Sequence, residues 1–193
     1  MISLFKKKEI VTVPNLLSLL RLVMIPVIMW LYLAENNYYA ATAVIILSGI
    51  TDIADGFIAR KFNMVSNFGK ILDPIADKIT QGMLIIALCF RHNLMIMLII
   101  LFVIKEFILA VLGAITLKKH DSVNSSKWHG KLNTVVLYLT MLMLILFPDF
   151  PKAAERVMVI LCIITMTLST VLYFRFYLSV WKNETVYEKL HTT

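Results

Sequence analysis

Asp52-Ile53-Ala54-Asp55-Gly56-Phe57-Ile58-Ala59-Arg60 and, eight residues on, Gly69-Lys70-Ile71-Leu72-Asp73-Pro74-Ile75-Ala76-Asp77 put four carboxylates into the most apolar part of this chain. Both stretches are flanked by hydrophobic runs long enough to enter a bilayer. A carboxylate there costs roughly 2.5–3.5 kcal/mol on insertion scales, so by default it marks a functional position. Four such groups close in sequence repel one another unless cations hold them. The pattern points to a divalent-metal site at a membrane face, where phosphate chemistry is the natural use.

The rest of the chain agrees with a membrane setting. Of 193 residues, 60% are hydrophobic, against roughly 45–50% in soluble domains. At about 20 residues per span, the length suits one domain, 1–193, of six transmembrane helices behind a short juxtamembrane segment. The net charge of +7 reads as a positive-inside bias and contact with anionic lipid or phosphorylated substrates, not as nucleic-acid binding. Cys89 and Cys162 each lie in an apolar run and read as small hydrophobes. The basic run Lys6-Lys7-Lys8 leads into a span without a small-residue cleavage site, so no cleaved signal peptide is expected.

Span boundaries follow from the apolar runs and their breakers. A lead-in covers 1–12, and Pro14 suits a first helical turn. The spans are expected at about 15–33, 39–61, 67–90, 94–117, 128–147 and 154–181. Polar turns separate them at 35–37, 91–93 and 148–151, with a longer loop over 118–127 and a polar tail at the end. One side carries Lys6, Lys7, Lys8, Arg60, Lys61, Lys70, Lys118, Lys119, Lys127, Lys131, Lys182 and Lys189, the other only Arg91, Lys152 and Arg156. The heavily basic side is expected to be cytoplasmic, with both termini and the aspartate cluster on it. Such a short chain without a targeting sequence suits a bacterial cell membrane.

Spacing lets the acids cooperate. Asp52 and Asp55 are three apart on one helix, and Asp73 and Asp77 four apart on the next, so each pair shares a face. Helices two and three are antiparallel neighbours, which lets all four acids meet at one depth. Hard oxygen donors suit Mg²⁺, Mn²⁺ or Ca²⁺, and the absence of His and Cys argues against zinc. Gly56 and Ala59 lie one turn beyond the first acid pair, and Gly69 one turn before the second. Glycine inside a helix costs about 1 kcal/mol against alanine, so a steric need is implied, such as the approach of a phosphorylated ligand. Arg60 adds a fork-shaped cation for phosphate oxygens.

These residues make up the run D-x2-D-G-x2-A-R-x8-G-x3-D-x3-D, which resembles the signature of the CDP-alcohol phosphotransferase family at every position. Similarity extends to an opening Pro14-Asn15-x-x-Ser18-x-x-Arg21 and to the form Leu72-Asp73-Pro74-x-Ala76-Asp77-Lys78, most like the phosphatidylglycerophosphate synthase and cardiolipin synthase branches. The resemblance implies transfer of a phosphatidyl group from CDP-diacylglycerol to an alcohol, with release of CMP. It implies one or two divalent cations, Mg²⁺ or Mn²⁺, on Asp52, Asp55, Asp73 and Asp77, with Asp77 also the catalytic base. It further implies nucleotide contacts from Gly56, Ala59, Arg60, Gly69, Asn15 and Ser18, and a homodimer in the membrane.

The acceptor is either glycerol 3-phosphate or, alternatively, phosphatidylglycerol. A phosphate-bearing acceptor needs cations, for which Arg21, Lys105, Lys127 and Lys131 are candidates. Related synthases carry arginine before Glu-Phe in span four. Lys105 stands there instead, before Glu106-Phe107, and supplies a point charge without the fork. Glu106 is expected to point elsewhere, leaving Lys105 free to pair with an aspartate. A metal-ion transporter would also place acids in spans, but it predicts related halves and mid-membrane helix breaks, and neither is visible. The methionines of spans four and five read as gap-filling or lipid-facing, and His120 and His129 as interfacial. Trp30, Trp128, Trp181, Tyr32, Tyr38 and Tyr39 read as interface anchors.

Overall fold

A computed structural model describes residues 12–62, 64, 66, 68–119 and 128–191, with backbone alone at 70, 117–119 and 180–191. The expected lead-in before Thr12 and the loop over 120–127, with His120 and Lys127, lie outside the described residues. Among those described, the chain forms six helices and no strand: α1 Val13–Leu33, α2 Tyr38–Lys61, α3 Gly69–Cys89, α4 Met95–Lys119, α5 Trp128–Leu146 and α6 Lys152–His191. The helix starts follow local chemistry. Thr12 caps α1 by accepting from the Asn15 N–H, with Pro14 in the first turn. Asn37 caps α2 through the Ala40 N–H at 3.1 Å. Asn36 supplies the one left-handed turn residue among those described that is not glycine, at φ 53°, a conformation asparagine tolerates. The Phe147 carbonyl accepts from the Phe150 N–H at 3.1 Å, closing the turn that carries Pro148.

Five of the helices are long and apolar enough to cross a membrane. The exception is α3. Its 21 residues give about 31 Å at 1.5 Å per residue, enough to span. However, Lys70, Asp73, Asp77 and Lys78 crowd its first half and break the apolar run. Of the six expected spans, the third is thus polar at the end that carries Asp73 and Asp77. It is also buried along one stripe, Ala76, Thr80, Leu84 and Leu88, which spares that face from lipid.

The chain divides into two compact units, Met1–Asn93 with Met141–Phe150, and Leu94–Thr140 with Pro151–Thr193. In the first, α1 packs on both α2 and α3. Its buried residues Ser18, Arg21, Ile25, Ile28 and Tyr32 alternate by three and four, the spacing of one continuous helix face. α2 answers with Ala41, Ile45, Ser48 and Asp55, and Asp52 lies on the same stripe. Tyr32, expected at the membrane interface, is instead fully buried. The Arg91 guanidinium lies 5.2 Å from its ring centroid and donates to its carbonyl at 3.3 Å. Trp30 and Tyr39 are exposed.

In the second unit, α4 packs on α6. Met95, Leu98, Phe102, Lys105, Leu112 and Thr116 form the buried stripe of α4. Gly130 of α5 gives room to Tyr173 of α6: a Cβ there would meet the phenol oxygen at 2.5 Å. Cys162, buried and free, lies 3.2 Å from the Thr140 hydroxyl.

Candidate active site

Helix α1 organises the acids. The Arg21 Nη2 lies 2.5 Å from Asp52 Oδ1 and 2.7 Å from Asp55 Oδ2, and its Nη1 contacts Asp77 Oδ1. One turn earlier, the Ser18 hydroxyl contacts Asp73 Oδ1 and lies 3.4 Å from Asp55 Oδ2. Going from Ser18 to Arg21 moves the partner back along α2, from Asp55 to Asp52, and forward along α3, from Asp73 to Asp77. Thus α2 runs antiparallel to α1, while α3 runs parallel to it. All four acids meet across these two α1 side chains.

The acids differ in depth. Arg21 and Asp55 are almost fully buried, at 2% and 4% side-chain exposure, whereas Asp52 and Asp77 keep 45% and 37%. Asp52 and Asp77 therefore form an open face on a buried ionic floor. The donor set is all oxygen, four carboxyl groups with a serine hydroxyl, which is the chemistry a hard divalent cation selects. The set fits such an ion by type. Among the described residues, no three acidic, His or Cys side chains are drawn together into a metal-holding group, and the Arg21 guanidinium contacts three of the four acids.

The small residues of the motif separate into two kinds. A Cβ on Gly69 would come within 2.5 Å of Asn15 Oδ1 and 3.0 Å of Ser66 Oγ. Ser66 accepts from the Gly69 N–H at 2.9 Å, and Asn15 donates to Ser66 at 3.1 Å. The smallness of Gly69 therefore serves the internal seam between α1 and the start of α3, where the sequence suggested ligand approach. Ser66 is a member of this cluster that motif reading passes over, because it lies in the eight-residue gap. Gly56 is different. A Cβ there would meet only Arg60 Nη2, at an ordinary 3.9 Å. Among the described residues nothing forbids a side chain at Gly56, and Arg60, one turn on, is exposed.

Residues 11–177 match the family described as CDP-alcohol phosphatidyltransferase. The chain belongs to this family. The chain is similar to a CDP-diacylglycerol–glycerol-3-phosphate 3-phosphatidyltransferase of Aquifex aeolicus, 35% identical over 67% of this chain and 73% of that protein. A Rickettsia typhi protein of the same name is 38% identical over 50% of this chain and 56% of its own length. A probable phosphatidylglycerophosphate synthase of Mycobacterium tuberculosis is 30% identical over 85% of this chain and 80% of its own. The match thus spans about half the length of the rickettsial relative and more of the other two. A cardiolipin synthase fusion protein of Schizosaccharomyces pombe is 35% identical over 63% of this chain. Family membership makes this protein a phosphatidyltransferase.

The candidate acceptor cations belong to different elements. Arg21 sits among the acids. Lys105 is buried on α4 and donates to Glu106 Oε1 at 3.0 Å. This corrects the expectation that Glu106 points away: the two neighbours pair, because a long ammonium stem can curl to its own helix neighbour. Lys131 is exposed on α5, and Lys127 is outside the described residues. Lys105 and Lys131 belong to the second unit, Arg21 to the first.

Proposed function

We propose that the protein transfers the phosphatidyl group of CDP-diacylglycerol to glycerol 3-phosphate, giving phosphatidylglycerophosphate and CMP within one membrane domain. The observation that carries the reading is the convergence of all four motif aspartates, from α2 and α3, on Ser18 and Arg21 of α1. Glycerol 3-phosphate as acceptor is supported by the names of the bacterial relatives. Phosphatidylglycerol is the second reading, supported by the cardiolipin synthase relative.

In this reading Asp52, Asp55, Asp73 and Asp77 hold a divalent cation, Mg²⁺ or Mn²⁺. When bound, it supplies neutralisation of diphosphate charge and polarisation of the phosphorus. The open position of Asp77 suits a base. Its carboxylate takes the proton of the acceptor hydroxyl as that oxygen bonds to the lipid-side phosphorus. The bond from this phosphorus to the bridging oxygen breaks, and its electron pair leaves with CMP. Gly56 and Ala59 let the nucleotide approach the α2 backbone, and Arg60 contacts a phosphate. Asn15, Ser18 and Gly69 keep α1 and α3 in register beneath it. Lys105, Lys127 and Lys131 serve the acceptor, the acids face the cytoplasm, and the protein works as a homodimer.

The test is CMP release by the purified protein with CDP-diacylglycerol and Mg²⁺, offering each acceptor in turn. Activity with glycerol 3-phosphate that Asp77→Asn abolishes is the expected result. Activity with phosphatidylglycerol alone would transfer the assignment to cardiolipin synthesis.

A further inference from the structure

The guanidinium of Arg21 is held in an unusual way. It is 2% exposed, and three carboxyl groups from two helices contact its terminal nitrogens. A paired arginine normally offers two parallel N–H groups to one carboxylate. Here Asp52 and Asp55 share a single nitrogen, Asp77 takes the other, and the buried Nε finds no hydrogen-bond partner among the described residues. A buried N–H left unmade is unfavourable. The side chain is therefore held by the field of the acids more than by fitted bonds. It cannot leave by losing its proton, since a guanidinium stays charged at any working pH. It can leave only by moving.

We infer that Arg21 is a built-in counter-cation that competes with the divalent cation for Asp52, Asp55 and Asp77. The inference rests on the proposed role of these acids as cation ligands. The oxygens that contact Arg21, Asp52 Oδ1, Asp55 Oδ2 and Asp77 Oδ1, are ones a hard cation would need. Asp73 is engaged through Ser18 instead. Arg21 is thus a positioning residue. It draws α2 and α3 onto α1 through these contacts, and a divalent cation takes the same oxygens only if it yields them. Without it, Asp52, Asp55 and Asp77 would lose the cation that all three contact.

The competition has a signature opposite in sign to a plain structural role. If Arg21 only braces the site, its removal loosens the acids and weakens metal binding. If it competes, removal tightens binding, by about tenfold or more for a unit charge displaced from beside a dication. The measurement is Mn²⁺ affinity by electron paramagnetic resonance on purified wild type, Arg21→Met and Arg21→Lys, with thermal unfolding with and without Mn²⁺. Arg21→Met is expected to bind Mn²⁺ about tenfold more tightly and to gain more thermal stability from it than wild type does. Arg21→Lys keeps the charge but not the reach to three carboxyl groups, and is expected to lie between them. Equal or weaker binding in Arg21→Lys overturns the inference even if Arg21→Met does not fold. Asp73→Asn separates this failure from the wider one. If wild type binds Mn²⁺ and Asp73→Asn does not, the metal reading stands whatever Arg21 does. If wild type and both Arg21 variants bind none, both readings fall.

Discussion

Replacing Gly69 by alanine places a methyl group against the seam between α1 and α3. Its carbon would lie 2.5 Å from Asn15 Oδ1 and 3.0 Å from Ser66 Oγ. To restore 3.4 Å, Asn15 Oδ1 must retreat by about 0.9 Å, and Asn15 is only 1% exposed with its amide bonded to Ser66. Overpacking of this kind costs about 1–3 kcal/mol, and spoiling the Asn15–Ser66 bond about 1 more. Gly69 is the first residue of α3, so the helix-propensity gain of alanine is small there. The net expectation is a loss of about 2–4 kcal/mol. Gly56→Ala meets no such obstacle and should leave stability unchanged or raise it by about 1 kcal/mol, while reducing CMP release by tenfold or more (roughly 1.4 kcal/mol) if the nucleotide approaches that backbone. Thermal unfolding in detergent separates the two. The decisive control is Gly69→Ala in an Asn15→Ala background, where the nearest obstacle is gone and the penalty should fall by at least half. An equal penalty in both backgrounds, or a Gly69→Ala protein as stable as wild type, would refute the steric account of Gly69.

Four further outcomes are expected. Asp77→Asn should lower CMP release by about 100-fold or more yet still purify as a folded protein, since Arg21 retains Asp52 and Asp55. Chelation of divalent cations should abolish CMP release in the wild type, and Mg²⁺ or Mn²⁺ should restore it. Ser18→Ala removes the hydroxyl that links Asp73 to Asp55, and should lower stability by about 1.5–3 kcal/mol in a metal-free melt. Gly130→Ala drives a methyl onto the Tyr173 phenol, 2.5 Å from its oxygen, for a loss of about 1–3 kcal/mol. Tyr173→Phe should relieve much of that loss in the double variant, as read by thermal unfolding.

How much was legible beforehand differs by feature. Most helix ends came within a few residues, because Pro14, Asn37 and the polar turns act locally; the exception is α6, which runs on to His191 through the stretch expected as a polar tail after 181. The six-helix count was legible, and so were the acids at the start of α3; the buried stripe of Ala76, Thr80, Leu84 and Leu88 was not. Arg21 was visible as a motif residue and its phase was readable: Ser18, Arg21, Ile25 and Ile28 fall on one face at three-and-four spacing. That spacing was a signal for the burial of Arg21 against α2 and α3. Ser66 carried no signal, being a lone serine in a gap.

Composition and short-range spacing determined that this chain is a helical membrane protein with four acids in two face-sharing pairs. Both follow from local rules: apolar length sets a span, and helix periodicity sets which side chains share a face. Only the tertiary structure decided that α1 lies against both α2 and α3, and that a guanidinium from α1 contacts the acids. Only it separated a glycine needed for packing, Gly69, from one left open, Gly56. Those outcomes depend on contacts between residues more than thirty positions apart, which no local periodicity encodes.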